Sequence, residues 1–260
     1  MAVKKPTKTK PVPQNSEVPL FAWAVGNNIY ESINQVWQII AKSHLYKNRV
    51  GLRSQKEYPE PFKYLGWCTW EQHHKNINEH IILSTIDGIE NSEIPVRWLL
   101  IDDGFQALKD GRMKSLKPDS IKFPNGFGPI ISAKKQDKIK WMGIWHTLLM
   151  HWNNVSPEHE MSELAPYLMP QPVESEKNPK DNEYLEDADD KVKALIPKDT
   201  KDASEQFYLK FMQAVKNDGF DFIKTDNVSR STIEYYGTSN AASAQMNNVL
   251  SLENACNKLG

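Results

Sequence analysis

Short apolar segments alternate with helix-like stretches through the second part of the chain. The apolar segments, in which most positions are bulky, are residues 64–70, 96–101, 140–145 and 220–224. The intervening stretches with helical spacing are residues 79–90, 128–136 and 205–217. Strands that are covered on both faces have this near-continuous apolar pattern. The alternation therefore predicts a parallel α/β architecture.

The carboxyl ends of the apolar segments distinguish between two parallel architectures. A doubly wound sheet and a (β/α) barrel both alternate strands with helices. Here the ends read GWCTWE, LLIDDG, GIWH and IKTDN, which places aromatic and carboxylate side chains where a barrel builds its active site. No glycine-rich phosphate loop supports the nucleotide-binding alternative. The sequence thus predicts a (β/α)8 TIM-barrel type of fold, with about the first four strand–helix units present in this chain.

The remainder of the chain has a different pattern. Residues 1–20 are rich in Lys and Pro, which is typical of a flexible leader, and residues 21–63 form a helical segment with an amphipathic helix over 29–44. Residues 64–260 are assigned to the partial barrel. Within it, residues from about 170 to 205 are dense in charge, which favours a solvent-exposed insertion over a charged binding segment.

The charge balance restricts the class of partner. The 32 basic and 33 acidic residues give a net charge of -1, so we expect neither nucleic acid nor a membrane as partner and favour a small neutral substrate. The two cysteines are far apart, which argues against a disulfide framework. No apolar run has the length of a signal peptide core or of a membrane span, so a cytoplasmic location is expected.

Asp226 is the candidate catalytic carboxylate. It ends the fourth apolar segment, and Lys224 lies two residues before it, on the same side of a strand. A carboxylate beside a fixed cation stays ionised at neutral pH, as a nucleophile that attacks a sugar carbon must. A purely structural Asp–Lys pair at a strand end explains the same spacing.

Asp102 and Asp103 end the second segment as neighbours. Successive strand residues point to opposite sides, so the two carboxylates do not form an acid/base dyad at this spacing. We expect one or both to accept hydrogen bonds from sugar hydroxyls. An aspartate cap on the turn into a helix is the structural alternative.

Aromatic and imidazole side chains near the strand ends complete the candidate pocket. Trp67 and Trp145 are expected to stack on the CH face of a sugar, and His146 is a further candidate because it follows Trp145. His73, His74 and His80 lack the spacing of a helical zinc site, and no metal or organic cofactor is expected.

Five blocks of sequence, in order and in spacing, resemble the raffinose-synthase and seed-imbibition-protein family, which is related to retaining α-galactosidases of glycoside hydrolase family 36. The blocks are LGWCTWE, RWLLIDDGFQ, KFPNGF, GIWHTLLMHWNNVSPE and GFDFIKTDN. The resemblance covers residues from about 64 to 260. It implies a (β/α)8 barrel that binds a small-molecule α-galactoside.

The resemblance also implies roles for individual residues. Asp226 would be the nucleophile that forms a covalent galactosyl-enzyme, while Lys224 and the aspartate pair Asp102 and Asp103 would hold galactose hydroxyls. Water as acceptor would give an α-galactosidase, and sucrose as acceptor would give raffinose synthesis from galactinol. The acid/base of the family comes from a later strand and is not found in this chain, which we therefore interpret as a fragment.

Two alternatives stay open at the level of sequence. The chain could be a non-catalytic carbohydrate-binding or interaction remnant of such a barrel, since Glu234 and Glu253 both fall in predicted helices. It could also belong to a glycosidase for another α-linked sugar, because residue types do not distinguish epimers at one hydroxyl.

Overall fold

The structure is a computed structural model, and it describes residues 21–44, 50–134, 138–172 and 193–260. The described residues fall into two compact units, one within Pro11–Lys63 and the other within Tyr64–Gly260. The predicted leader, residues 1–20, lies outside the described residues. No helix in the described ranges combines the length and the apolar character that crossing a bilayer requires.

The smaller unit contains one long helix, α1 (Ile29–Lys42), followed by single 3-10 turns at Arg53–Gln55 and Glu60–Lys63. Asn28 begins α1 because its side chain accepts a hydrogen bond, 2.9 Å long, from the backbone N–H of Glu31. The helix predicted over residues 29–44 is thus present and ends two residues earlier than expected.

In the larger unit, helices separate the four strands of the main sheet as the sequence predicts, and two short strand pairs are added to them. In chain order its elements are β1 (Leu65–Cys68), α2 (Trp70–His73), α3 (Glu79–Asn91), β2 (Val96–Ile101), β3 (Gln106–Lys109), β4 (Arg112–Pro118), α4 (Gly128–Ser132), β5 (Trp141–Thr147), β6 (Leu168–Pro170), β7 (Leu195–Pro197), α5 (Lys201–Asn217), β8 (Phe222–Asp226), α6 (Ser231–Glu234) and α7 (Ala241–Leu259).

The four predicted strands form one parallel sheet. Its order is β1-β2-β5-β8, so strands that follow one another among these four are also neighbours in space. In the last pair, Trp145 is opposite Lys224 and Thr147 is opposite Asp226. An α/β fold with a parallel sheet is therefore confirmed.

The two faces of this sheet differ. Helices cover one face, on which buried side chains such as Leu99 and Ile144 belong to the main hydrophobic core together with Phe207 and Phe211 of α5. We call this the helix-facing side. Leu100 and Trp145 are also buried, but they are outside that core cluster and lie on the opposite side, which we call the inner face.

Glycines allow large rings to pack on the inner face. A Cβ atom built on Gly66 would lie 1.8 Å from the Trp98 ring, and one on Gly143 would lie 2.2 Å from the Phe222 ring. The two rings meet edge to face, with centroids 5.6 Å apart. Small residues at these two positions thus create the space that the neighbouring aromatic rings fill.

Two short antiparallel pairs were not predicted. The hairpin β3–β4 turns at Asp110 and Gly111, which both have positive φ angles, as this tight type of turn requires. In the pair β6–β7, β6 ends where the predicted charged insertion begins and β7 lies within it; residues 173–192 of the insertion are outside the described part. Since α5 already begins at Lys201, the insertion ends earlier than predicted.

Candidate active site

Polar side chains from four segments meet at the carboxyl edge of the parallel sheet, where α/β folds place their active sites. We call this group the strand-end cluster. Its members are Cys68, Lys75, Asp102, Asp103, Trp145, Trp152, Lys224 and Asp226.

Lys224 and Asp102 form the central ion pair of the cluster. Lys224 Nζ lies 2.7 Å from Asp102 Oδ2, and the Asp102 side chain is almost fully buried. Burial alone would lower the pKa of Lys224, but the hydrogen bond and charge of Asp102, with the charge of Asp226, raise it. The cation is thus maintained at neutral pH, in contact with one aspartate and within the field of another.

Three donors hold the Asp102 carboxylate in one orientation. Its Oδ1 accepts the backbone N–H of Asp103 at 2.9 Å, while Oδ2 accepts Lys224 and, at 3.4 Å, the Cys68 thiol. Burial, followed by the charge of Asp102, raises the pKa of Cys68 to about 11, so this residue is a neutral donor at pH 7. All three partners of the Asp102 carboxylate are donors, so its oxygens act here as hydrogen-bond acceptors.

Asp103 contacts the loops that follow the strands. Its Oδ2 accepts a hydrogen bond from Trp152 Nε1 at 3.0 Å and lies 3.8 Å from Lys75 Nζ. Asp103 thereby connects the loop after β1 with the loop after β5. The neighbouring aspartates have separate partners, as the alternation of strand residues predicts.

Both carboxylate oxygens of Asp226 accept N–H donors. Trp145 Nε1 lies 3.2 Å from Oδ2, and the backbone N–H of Asn227 lies 2.8 Å from Oδ1. The Trp145 ring is 1 % exposed and packs against Trp152 at 5.7 Å between centroids. Asp226 itself is half-buried, so its carboxylate remains reachable beside these two indole rings.

The structure does not bring Trp67 and His146 into the cluster. Both are strand residues one position removed from a cluster member, Cys68 or Trp145, so they lie on the helix-facing side. Trp67 packs against the main core. His146 lies between the rings of Phe105 and Phe211, at 5.7 and 4.7 Å between centroids.

The pKa of His146 also argues against a role as a cation that binds hydroxyls. Its burial lowers the pKa to about 3, so the imidazole is neutral. Its Nδ1 atom is buried and, among the residues that the structure describes, has no hydrogen-bond partner. Its position after Trp145 predicted that His146 lies in the pocket, whereas in the structure it lies in the core.

Sequence reasoning missed several cluster residues. Cys68, Trp152 and Lys75 belong to the cluster, although the sequence pattern did not identify them as site residues. Alternation provides a signal for Cys68, because it lies two residues after the inner-face Gly66. Thr147 lies beside the cluster: it pairs with Asp226, and within the described part of the chain its buried hydroxyl has no hydrogen-bond partner.

Within the ranges that the structure describes, no group of three or more His, Cys, Asp or Glu side chains is arranged to hold a metal ion. The cluster instead combines carboxylates, one ammonium group and indoles. This donor set is suited to the hydroxyls and CH faces of a sugar.

Comparison with known proteins identifies the family of proteins that this chain resembles. The model of the family described as raffinose synthase or seed imbibition protein Sip1 matches residues 13–126. The resemblance seen in the sequence blocks is thereby confirmed, although the matched range begins earlier than expected and ends before the Asp226 block.

Individual relatives agree with that class. The probable galactinol–sucrose galactosyltransferase 6 of Arabidopsis thaliana is 24% identical over 163 residues, which are 55% of this chain and 21% of the relative. The α-galactosidase of Torulaspora delbrueckii is 37% identical over 67 residues, which are 24% of this chain and 14% of the relative. These relatives are a glycosyltransferase and a glycoside hydrolase.

Solved structures show the same fold. The α-galactosidase of Thermus thermophilus aligns with a TM-score of 0.50 and 16% identity, over 74% of this chain and 36% of that one. The family 36 α-galactosidase AgaA of Geobacillus stearothermophilus aligns with a TM-score of 0.52 and 15% identity, over 88% and 30%. The chain spans about a fifth of the length of its galactosyltransferase relatives in Arabidopsis thaliana.

Proposed function

We propose that this chain carries the nucleophile half of the active site of a retaining enzyme that hydrolyses or transfers α-galactosyl groups. The observation that carries the proposal is the strand-end cluster, in which the reachable Asp226 carboxylate lies beside the Lys224–Asp102 pair and the Trp145 indole. The similarity to galactosyltransferases and α-galactosidases supports the choice of sugar.

Asp226 is the proposed nucleophile. Two N–H donors bind its carboxylate oxygens and fix their direction, and Lys224, whose pKa the charge of Asp226 helps to raise, supplies a cation nearby. One oxygen attacks the anomeric carbon, the bond to the leaving oxygen breaks, and a covalent galactosyl ester forms. Attack on the ester by water then releases galactose, and attack by a sugar hydroxyl transfers it. In both cases the configuration is retained, and Asp226 is regenerated.

Substrate binding is proposed for Lys224 and the two buried aspartates. An ammonium group such as that of Lys224 has three N–H donors, and a carboxylate such as that of Asp102 or Asp103 accepts more than one hydroxyl donor. The half-buried ring of Trp152, backed by the buried ring of Trp145, provides the apolar surface on which the CH face of a sugar packs. A galactose ring needs both kinds of contact at once.

A (β/α)8 barrel is the fold proposed for the whole protein. Four parallel strands whose spatial order equals their chain order are what the first half of a barrel contains, whereas a doubly wound sheet reverses direction at a switch point. The greater length of the relatives supports this interpretation.

Retaining catalysis also needs a second carboxyl group about 5 Å from the nucleophile, which protonates the leaving oxygen. Glu234 is buried and hydrogen-bonded to Asn154 and Gln171, and Glu253 is exposed on α7. We therefore assign the acid/base to neither of these residues.

Covalent trapping tests the proposal. An α-galactosyl fluoride with a second fluorine on its ring slows breakdown of the ester, and peptide mass spectrometry locates the adduct. We expect the adduct on Asp226, none in Asp226→Ala, and an unchanged adduct in Asp87→Ala, which changes an exposed aspartate of α3. An adduct on any other carboxylate would exclude Asp226 as the nucleophile.

Sugar binding without turnover is the second candidate. It is favoured because Glu234 is hydrogen-bonded to Asn154 and Gln171 and is therefore not assigned as the acid/base. Its signature is saturable binding of galactose, measured by quenching of tryptophan fluorescence, with neither adduct nor galactose release. The glucose epimer of each probe tests specificity, and equal labelling by both epimers would favour another α-linked sugar as substrate.

A further inference from the structure

Glu234 is a buried carboxylate that the proposed mechanism does not use. It ends the short helix α6, which follows β8 closely, and it is only 5% exposed. A buried carboxylate needs hydrogen-bond partners to offset the loss of its hydration. The identity of those partners indicates what the residue does.

The partners of Glu234 come from two other segments of the same unit. Its Oε2 atom accepts a hydrogen bond from Asn154 Nδ2 at 3.1 Å and another from Gln171 Nε2. Asn154 lies in the loop after β5, and Gln171 follows β6 directly. One carboxylate oxygen thereby joins the segments that follow β5, β6 and β8.

Asn154 closes the turn that carries Trp152. It adopts a left-handed conformation with φ of 63°, its N–H donates to the carbonyl of His151 at 3.0 Å, and its carbonyl accepts the N–H of Met113 at 3.0 Å. We call residues 151–154 the tryptophan turn. A left-handed asparagine in a turn depends on its side-chain contacts to remain in place.

The tryptophan turn leads directly to the strand-end cluster. Trp152 donates its indole N–H to Asp103 and packs against Trp145, which in turn donates to Asp226. A displacement of the turn would therefore move one wall of the cluster and remove a donor from Asp103.

We infer that Glu234 is a positioning residue: through Asn154 it fixes the tryptophan turn, so that Trp152 holds Asp103 and, backed by the buried Trp145 ring, forms the sugar-stacking wall. The inference deepens the proposed function and rests on it for the identity of the ligand. The coupling between Glu234 and Trp152 can be measured without any ligand.

The chemistry of the contact defines a conservative variant. Both donors reach Glu234 through one oxygen, and a glutamine can offer its carbonyl oxygen to the same donors. Glu234→Gln should therefore preserve the turn, whereas Glu234→Ala leaves two amide groups without an acceptor. Glu253→Ala, on the exposed side of α7, is the matched control for loss of a glutamate.

Fluorine NMR of the protein labelled with 5-fluorotryptophan follows Trp152 directly, and its resonance is assigned by its loss in Trp152→Phe. We expect a shifted or broadened Trp152 resonance in Glu234→Ala and a wild-type position in Glu234→Gln and Glu253→Ala. Galactose affinity, measured by calorimetry, should fall about fivefold or more in Glu234→Ala, as expected when buried amides lose their acceptor, and should be preserved in Glu234→Gln.

An unchanged Trp152 resonance in a folded Glu234→Ala variant would overturn the inference, even if that variant were less stable. If Glu234→Ala does not fold, Asn154→Asp replaces it, since aspartate tolerates the left-handed conformation but lacks the donor. A Trp152 shift in a protein that binds no galactose in any form would support the positioning role and contradict the proposed function.

Discussion

The two faces of the parallel sheet use the same four strands for opposite purposes. On the inner face, charged and indole side chains end the strands, and Lys224, Asp102 and Asp226 interact across them. On the helix-facing side, alternate residues of the same strands enter an apolar core in which even His146 is neutral. A shift of one residue along a strand thus separates a functional position from a structural one, and substitutions on the two faces should have different kinds of effect.

The largest expected effect is on the inner face, at Asp226. Asp226→Asn keeps an oxygen that can accept the Trp145 N–H, but it removes the nucleophilic charge. We expect galactosyl release or transfer by the full protein to fall by at least about 10⁴-fold, with the urea midpoint nearly unchanged. Steady-state assays and urea titration measure the two quantities. Substantial residual turnover would contradict the assignment of the catalytic function to the inner face.

The second prediction concerns the helix-facing side. Phe211→Ala removes a ring that is 1% exposed and packs on His146, and we expect it to lower the free energy of unfolding by about 3–5 kcal/mol. Tyr236→Ala, at a position that is 50% exposed, is the control. Equal effects of the two substitutions in urea unfolding would show that the core assignment is incorrect.

The third prediction concerns the pH dependence of stability that the buried histidines cause. Burial lowers the pKa of His146 to about 3, and burial, followed by the charge of Lys75, lowers the pKa of His151 to about 3. Because the unfolded chain binds protons at these sites below about pH 6.5, their contribution to stability is complete above that pH and is lost as the pH falls towards 3.

Each histidine adds a slope of about 1.4 kcal/mol per pH unit within that window. The slope of unfolding free energy against pH between 6 and 4 should be shallower in His146→Leu by about this amount. His80→Gln, which changes an exposed histidine, controls for loss of a histidine as such. A slope in His146→Leu equal to that of the wild type would show that His146 is not buried as a neutral base.

The smallest expected effect tests the close packing on the inner face. Gly143→Ala places a methyl group against the Phe222 ring and should lower stability by about 1–3 kcal/mol, with partial recovery in the double variant with Phe222→Leu. Gly88→Ala, where a Cβ atom meets nothing within 4 Å, is the control. Additive effects at positions 143 and 222 would exclude the predicted contact.

The sequence was sufficient to locate the strands and the central charges. Near-continuous apolar runs gave all four strands of the sheet, and the motif ends gave Asp102, Lys224 and Asp226. The hairpin β3–β4 was missed because its strands mix polar and apolar residues, although the Asp110–Gly111 pair is a recognised turn signal.

The remaining site residues could not be assigned, for identifiable physical reasons. Period-2 alternation shows that neighbouring strand residues face opposite sides of the sheet. Which of the two sides is the inner face depends on the register between strands, which the sequence does not provide. Trp67 and His146 were therefore assigned to the wrong side. Trp152 reaches the cluster through a loop whose shape depends on the left-handed Asn154 and on Glu234, a residue about 80 positions later. Contacts of this range leave no local pattern.

The order of strands in the sheet also bears on how the site is made during translation. Because each of the four strands lies beside the one that preceded it, every new strand leaves the ribosome with its neighbour already synthesised. At ~5–20 residues per second, β8 follows β1 by roughly ten to thirty seconds. Asp226 is thus the last member of the cluster to be made, after Cys68, Asp102 and Trp145 have been synthesised. Growth of the polypeptide and assembly of the site can proceed in the same direction.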